Sequence, residues 1–132
     1  MLHDPLLWND WHPVATIYQL REQSLLATRL LGEDLVIWQS GHQVQVWRDL
    51  CLHRGAKLSG GHLQNGNAAN AHARESACLV CPYHGWRYDV TGRCVHIPAH
   101  PEQTPPTKAQ AQRYPVQIRY GLVWTCLGEP TN

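Results

Sequence analysis

Two short segments place a cysteine close to a histidine. The first holds Cys51 and His53 with one residue between them, and the second holds Cys81 and His84 with two residues between them. Thiolate sulfur and imidazole nitrogen bind zinc and iron. Neighbours this close converge on one centre only where the backbone bends sharply, which glycine and proline permit. The residues that permit such bends are Gly55, Pro82 and Gly85.

Spacing alone leaves the identity of the metal open. Two cysteines and two histidines also make a tetrahedral zinc site, and Cys78 forms a C-x-x-C pair with Cys81. The chain has five cysteines, an odd number, so they cannot all pair as disulfides. Cysteine mixed with histidine, in a chain without an export signal, indicates metal binding in a reducing compartment. The pattern therefore predicts a metal centre, with zinc among the candidates.

The composition is that of one compact domain. The chain has 132 residues, of which 43% are hydrophobic and 16% charged, and its formal net charge is +1. This balance argues against a nucleic-acid-binding protein, which normally carries a basic patch. No apolar run approaches the roughly 18 residues of a membrane span, and the N-terminus lacks the pattern of a secretory signal. We therefore expect a cytoplasmic protein without a nucleic-acid partner and without a membrane span.

Short strand signals separated by turns run along the chain, and no segment shows sustained helical periodicity. The strand candidates are 13–20, 24–31, 35–39, 43–47, 77–80, 86–90, 93–97, 114–119 and 122–127. Many short strands with turn signals predict an antiparallel sandwich or barrel. Two stretches, 60–76 and 98–112, are small and polar or rich in proline, and we expect them to be irregular.

Both cysteine–histidine segments resemble a known signature. The runs CLHRGAKLSGG, from Cys51, and CPYHGWRYDVTGRC, from Cys81, resemble the paired motif of Rieske [2Fe–2S] proteins. The resemblance extends through WHPVA, LLGEDLVIW, VHIPAHP and YPVQIRYGLVWTCLGEP to nearly the whole chain. These stretches are similar to the N-terminal domain of Rieske non-haem iron oxygenases, in the branch of vanillate demethylase and pheophorbide a oxygenase.

The resemblance implies an all-β fold. We expect an antiparallel Rieske-type sandwich with a small inserted cluster-binding subdomain of two ligand loops. Residues 1–132 would form a single Rieske domain, with about 48–97 as its cluster-binding part. The gap between His53 and Cys81 is longer than is usual in the family, and the excess lies in 60–76. We therefore interpret 60–76 as a polar insertion that leaves both ligand turns intact.

The resemblance also implies the ligands of a [2Fe–2S] cluster. Cys51 and Cys81 would bind one iron, and His53 and His84 the other, because two histidines replace two cysteines on one iron of a Rieske cluster. Trp86 is expected to pack against the ligand loops and shield them. The residues expected around the cluster are Arg54, Gly55, Tyr83, Gly85 and Trp86. The cysteines expected to be inert core residues are Cys78, Cys94 and Cys126.

The surroundings of the cluster predict a low midpoint potential. Respiratory Rieske proteins carry an extra cysteine in each ligand loop and a serine hydroxyl near cluster sulfur. This chain has Ala56, Tyr83 and Trp86 at those places. Fewer donors to sulfur favour the oxidised state, so we expect a potential nearer about −150 mV than about +300 mV.

The resemblance implies one-electron transfer. The chain would act as the N-terminal domain of a ring-hydroxylating or demethylating oxygenase. It would receive an electron from a ferredoxin or flavin reductase and pass it to a catalytic domain with a mononuclear iron. No such catalytic domain is represented here, so we assign no catalytic residue and expect no oxygenation by this chain alone. The isolated domain is expected to be monomeric, whereas parent enzymes of this kind are commonly trimers.

Two other functions stay open at this point. A standalone Rieske ferredoxin would use the same four ligands and serve a separate enzyme. A structural zinc module would also use Cys51, His53, Cys81 and His84, but it would be colourless and would act in binding.

Overall fold

The structure is a computed structural model that describes residues 5–51, 56–65, 77–82 and 85–130. Its helices are α1 (Pro5–Trp8), α2 (Ile17–Glu22) and a 3-10 turn (Leu58–Gly60). Its strands are β1 (His12–Thr16), β2 (Leu25–Leu30), β3 (Glu33–Ser40), β4 (Gln43–Arg48), β5 (His62–Asn65), β6 (Ala77–Val80), β7 (Arg87–Tyr88), β8 (Cys94–His96), β9 (Arg113–Tyr114), β10 (Val116–Arg119) and β11 (Leu122–Thr125). None of the helices in these ranges is long and apolar enough to cross a membrane.

The strands form three sheets in which every pairing is antiparallel. A terminal sheet has the order β1-β11-β10, and a central sheet has the order β2-β3-β4-β9. An inserted sheet, with the order β5-β6-β7-β8, comes from the chain between β4 and β9. The antiparallel all-β fold predicted from the sequence is confirmed.

The central sheet is buried on both faces. Its strand β3 contains the fully buried run 35–38, and successive side chains of a strand point to opposite faces. Val36 and Trp38 belong to a first core, shared with the inserted sheet. Leu35 and Ile37 belong to a second core, shared with the terminal sheet and α2. This double burial explains why β3 is a continuous apolar run rather than an alternating one.

The segment 13–20, predicted as one strand, contains a strand and the start of a helix. β1 ends at Thr16, whose hydroxyl accepts a hydrogen bond from the Gln19 N–H at 3.1 Å. The Gln19 side chain accepts one from the Thr16 N–H at 2.8 Å, which completes a capping box. The prediction of a strand at 17–20 was wrong, because this reciprocal capping outweighs the β-propensity of the residues that follow.

The segment 60–76, predicted as an irregular loop, begins with ordered backbone. Strand β5 pairs with β6 residue by residue, from His62 opposite Val80 to Asn65 opposite Ala77. The prediction was wrong for 62–65, because pairing with β6 satisfies a backbone whose polar side chains alone give no strand signal. Residues 66–76 lie outside the described part of the chain. In 98–112, predicted to be irregular, the ordered pairing is a single bridge between Arg93 and Gln110.

Candidate metal centre

Cys51 begins a loop that its own backbone closes. It lies just beyond β4, and its N–H donates a hydrogen bond to the carbonyl of Ala56 at 2.7 Å. The Cys51 side chain is buried, with 1% of its surface exposed. Ala56 packs against the same core that holds the cysteine. Cys51 and Ala56 are therefore held together.

Cys81 begins a second loop with the same closure. It follows β6, and its N–H donates to the carbonyl of Trp86 at 2.8 Å. Gly85 has a φ of +69°, a left-handed conformation that glycine adopts without a steric penalty. The chain can therefore turn back onto Trp86, and the two loops share one pattern of backbone bonding although their sequences differ.

The fold brings the two cysteines into one buried cluster. Cys51 and Cys81 are each 1% exposed, and both belong to the first core together with Leu58 and Leu79. Neither forms a disulfide, since all five cysteines are free. Two buried thiols at the starts of two similarly closed loops form a donor set that fits the sulfur side of a metal centre.

A tyrosine hydroxyl contacts one of these thiols. Tyr88 is fully buried, and its hydroxyl oxygen lies 3.2 Å from Cys51 Sγ. Trp47 packs edge-on against the Tyr88 ring, with the ring centroids 6.3 Å apart. A metal-bound thiolate has no proton to donate, so the hydroxyl would then be the donor and the sulfur the acceptor.

Tyr88 is a contact of Cys51 that the sequence analysis did not include among the site residues. The signal that could have found it is the alternation along β7, in which Arg87 is half-buried and Tyr88 fully buried. Because successive side chains of a strand face opposite ways, the inward residue of a strand beside a ligand loop is a candidate contact of that loop.

The three remaining cysteines differ in burial. Cys94 and Cys126 are buried, as expected for inert core residues, and burial raises the pKa of the Cys94 thiol. Cys78 is only partly buried, so the expectation that it belongs to the core was wrong. Its position on β6 leaves it partly open to solvent. Desolvation raises the pKa of the Cys78 thiol, and the negative charge of Asp89 raises it further.

The residues predicted around the centre fall into two groups. Trp86 is half-buried and packs against the first core, as expected, and Gly85 forms the turn before it. The predicted site residues that lie outside the described part are His53, Arg54, Gly55, Tyr83 and His84. Within the described ranges, no group of three or more histidine, cysteine or acidic side chains could hold a metal ion. The structure therefore brings together two of the four predicted ligands, the cysteines.

Comparison with known proteins identifies the family of this chain: residues 10–115 match the sequence model of the Rieske [2Fe-2S] domain. Methylxanthine N1-demethylase NdmA of Pseudomonas putida is 43% identical over 119 residues, which cover 86% of this chain and 31% of the relative. Pheophorbide a oxygenase of Oryza sativa subsp. japonica is 34% identical over 131 residues, which cover 92% of this chain and 23% of the relative. This chain therefore spans less than a third of the length of either relative.

A solved structure shows the same fold. NdmB of Pseudomonas putida CBB5 superimposes with a TM-score of 0.82 at 33% sequence identity. The match covers 96% of this chain and 37% of that chain.

Proposed function

Because the chain belongs to the Rieske [2Fe–2S] domain family, we propose that it serves as the electron-transfer domain of a longer Rieske non-haem iron oxygenase. A Rieske domain binds a [2Fe–2S] cluster. The observation that carries the proposal is the burial of Cys51 and Cys81 in one core, each at the start of a similarly closed loop. The demethylase and oxygenase relatives support the oxygenase context.

In this proposal Cys51 and Cys81 bind one iron, and His53 and His84 bind the other. The burial of both cysteines supports the sulfur side, and the spacing of the two motifs supports the histidine side. When bound, the cluster supplies a centre that accepts and releases one electron and, with two thiolate ligands, is uncharged in its oxidised form. An uncharged centre accepts an electron more readily than the dianion that four thiolates would make.

The described residues have separate tasks at this centre. With Cys51 bound to iron as a thiolate, the Tyr88 hydroxyl 3.2 Å away donates a hydrogen bond to Cys51 Sγ and stabilises its negative charge. The apolar side chains of Leu58 and Leu79, both fully buried, exclude water from the sulfur side. Trp86 packs against the same core.

We further propose that residues 1–132 are one Rieske domain, with about 48–97 as the cluster-binding part and 60–76 as an insertion. The separate pairing of β5, β6, β7 and β8 supports a cluster-binding unit inserted between β4 and β9. The ordered start of 60–76 indicates that the insertion extends a hairpin of that unit.

The partners are proposed from the same context. Rieske oxygenases need an electron donor and a catalytic oxygenase part, so we propose a ferredoxin or flavin reductase as donor. The acceptor is a catalytic domain with a mononuclear iron, in a trimeric parent enzyme. A cytoplasmic location is supported by the five free cysteines, which suit a reducing compartment.

Metal analysis with a visible spectrum tests the cofactor. After anaerobic reconstitution, we expect a red-brown chain with two iron atoms and two acid-labile sulfides, which becomes paramagnetic on one-electron reduction. Cys51→Ser and Cys81→Ser should abolish the colour. Cys126→Ser should keep the colour, because Cys126 is a buried thiol that donates a hydrogen bond to the Trp8 carbonyl and is not a predicted ligand. A colourless protein with one zinc would instead establish the structural zinc module.

The gene tests the oxygenase context. A reading frame that continues past Asn132 into a region with two histidines and one carboxylate for a mononuclear iron supports the longer oxygenase. A stop codon there would instead support a standalone Rieske ferredoxin.

A further inference from the structure

The geometry points to Asp49 as a positioning residue whose buried carboxylate clamps Ser59 and thereby holds the two cysteine-bearing loops at a fixed separation. The inference rests on the proposed function in taking Cys51 and Cys81 as cluster ligands. Asp49 acts through Ser59 and through the backbone that follows Ser59.

Both carboxylate oxygens of Asp49 are used by one residue. The Ser59 N–H donates to Asp49 Oδ1 at 2.7 Å, and the Ser59 hydroxyl donates to Asp49 Oδ2 at 2.6 Å. These lengths are those of charge-assisted hydrogen bonds. Asp49 is only 4% exposed, so water screens the bonds little and a lost partner would leave a buried acceptor unsatisfied. These two bonds thus join Asp49, which precedes Cys51, to Ser59, which follows Ala56.

The clamp is anchored on the central sheet. The Asp49 N–H donates to the carbonyl of Asp34 in β3 at 2.9 Å. The Asp34 side chain is separately paired with Lys57 at 3.5 Å, at a more exposed position. Asp49 is therefore hydrogen-bonded both to β3, which is buried on both faces, and to Ser59. It fixes the 3-10 turn 58–60 relative to that strand.

The segment after Ser59 packs directly on the second loop. A Cβ added at Gly61 would overlap the carbonyl group of Val80, the residue before Cys81. A Cβ at Gly60 would lie 3.5 Å from Pro82 Cγ, the residue after Cys81. The residues on both sides of Cys81, Val80 and Pro82, therefore lie close to the clamped segment. The path from β3 through Asp49, Ser59 and Gly61 to Val80 ties the position of Cys81 to that of Cys51.

Loss of cluster to an iron chelator tests the clamp on the reconstituted 132-residue chain. We expect Asp49→Ala to lose its visible absorbance about tenfold faster than the unsubstituted chain, because two charge-assisted bonds are removed together. Ser59→Ala should accelerate loss by a smaller factor, since the backbone N–H bond survives. Asp49→Asn should largely restore retention, because an amide oxygen accepts from the Ser59 N–H and an amide N–H donates to Ser59 Oγ.

A second readout separates positioning from general stability. The visible circular dichroism of the bound cluster should change in Asp49→Ala and return in Asp49→Asn. The matched control is Thr125→Val in β11 of the terminal sheet, which removes the hydrogen bond of 2.8 Å from the Thr125 hydroxyl to the Pro115 carbonyl. It should alter urea unfolding of the cluster-free chain but leave chelator loss and the dichroism unchanged. If Asp49→Ala does not fold, Ser59→Ala provides the same comparison.

The outcomes distinguish this inference from the proposed function. Failure of the unsubstituted chain to take up iron and sulfide would overturn the proposed function. A loaded chain in which Asp49→Ala and Ser59→Ala keep the cluster as the unsubstituted chain does would overturn only the clamp. Equal chelator loss in Thr125→Val and Asp49→Ala would also overturn it, because the effect would then follow stability alone.

Discussion

At the scale of single residues, the Tyr88 hydroxyl is well placed to adjust the electron affinity of the centre. It lies 3.2 Å from Cys51 Sγ and is fully buried. A hydrogen bond to sulfur strengthens as the sulfur becomes more negative, so it stabilises the reduced state more than the oxidised state. The sequence analysis did not count the Tyr88 hydroxyl among the hydrogen-bond donors to cluster sulfur.

Tyr88→Phe should lower the midpoint potential of the loaded chain. A differential stabilisation of about 1 kcal/mol corresponds to about 40 mV for one electron. The shift is measured by a redox titration followed through the visible spectrum. Tyr114→Phe is the control, because Tyr114 packs against the second core. An unchanged potential in Tyr88→Phe would show that the hydroxyl does not donate to the bound sulfur.

The potential of the unsubstituted chain should still lie at the low end of the Rieske range. Ala56 and Trp86 supply neither a disulfide nor a hydroxyl beside the cluster. One hydroxyl from Tyr88 does not replace both, so we expect a value nearer about −150 mV than about +300 mV. The same redox titration measures it, and a midpoint above about +100 mV would contradict the prediction.

At the scale of elements, the packing of one loop on the other depends on a glycine. Gly61 lies against the carbonyl of Val80 with no room for a side chain. A Cβ added at its neighbour Gly60 would lie 3.5 Å from Pro82 Cγ, an ordinary contact distance. The approach of the 3-10 turn to the strand before Cys81 is therefore a backbone-to-backbone contact, which a larger residue cannot reproduce.

Gly61→Ala should destabilise the chain by about 3 kcal/mol, because the added methyl group forces the backbone beside Cys81 to shift. Gly60→Ala is the matched control and should cost far less. Urea unfolding of the cluster-free proteins gives the free energies, and iron content after reconstitution reports the effect on the centre. Equal stability and equal iron content in the two variants would show that this contact does not position the loop.

At the scale of the whole molecule, three ionisable groups have a pKa that is raised in the folded state. Burial is the main cause that raises the pKa values of the Cys78 thiol, the Cys94 thiol and the Tyr114 hydroxyl. Each folded pKa then lies above its unfolded value. The corresponding stability is fully present below the unfolded pKa and is lost as the pH rises through the folded pKa. The molecule is therefore built to be most stable with these groups uncharged.

The cluster-free chain should lose stability in alkali. The unfolded thiols ionise near about pH 8.5 and the unfolded tyrosine near about pH 10, so the free energy of unfolding should fall from about pH 8.5 upward. Urea unfolding with a reductant present, at a neutral and an alkaline pH, measures the fall. In a Cys78→Ala, Cys94→Ala double variant the fall should begin later, in the range of the tyrosine. A stability that stays constant through the thiol range would contradict the assigned shifts.

Much of the fold followed from local patterns in the sequence. Alternation, β-branched residues and turn dipeptides predicted the antiparallel strands, since these signals lie within a few residues of one another. The errors arose where a neighbouring segment decides the outcome. Residues 62–65 form a strand because β6 lies beside them, and the strand predicted through 17–20 gives way to α2 because Thr16 and Gln19 cap it.

The sequence by itself predicted a metal centre and left the identity of the metal open, because cysteine and histidine at such close spacing within bend-forming residues suit few sites other than a metal. Only the tertiary structure decided which side chains surround the sulfur. The contact of Tyr88 with Cys51, the clamp of Asp49 on Ser59 and the packing of Gly61 on Val80 all join separate segments. Such contacts are set by how sheets pair and pack, and no local pattern in the chain encodes that arrangement.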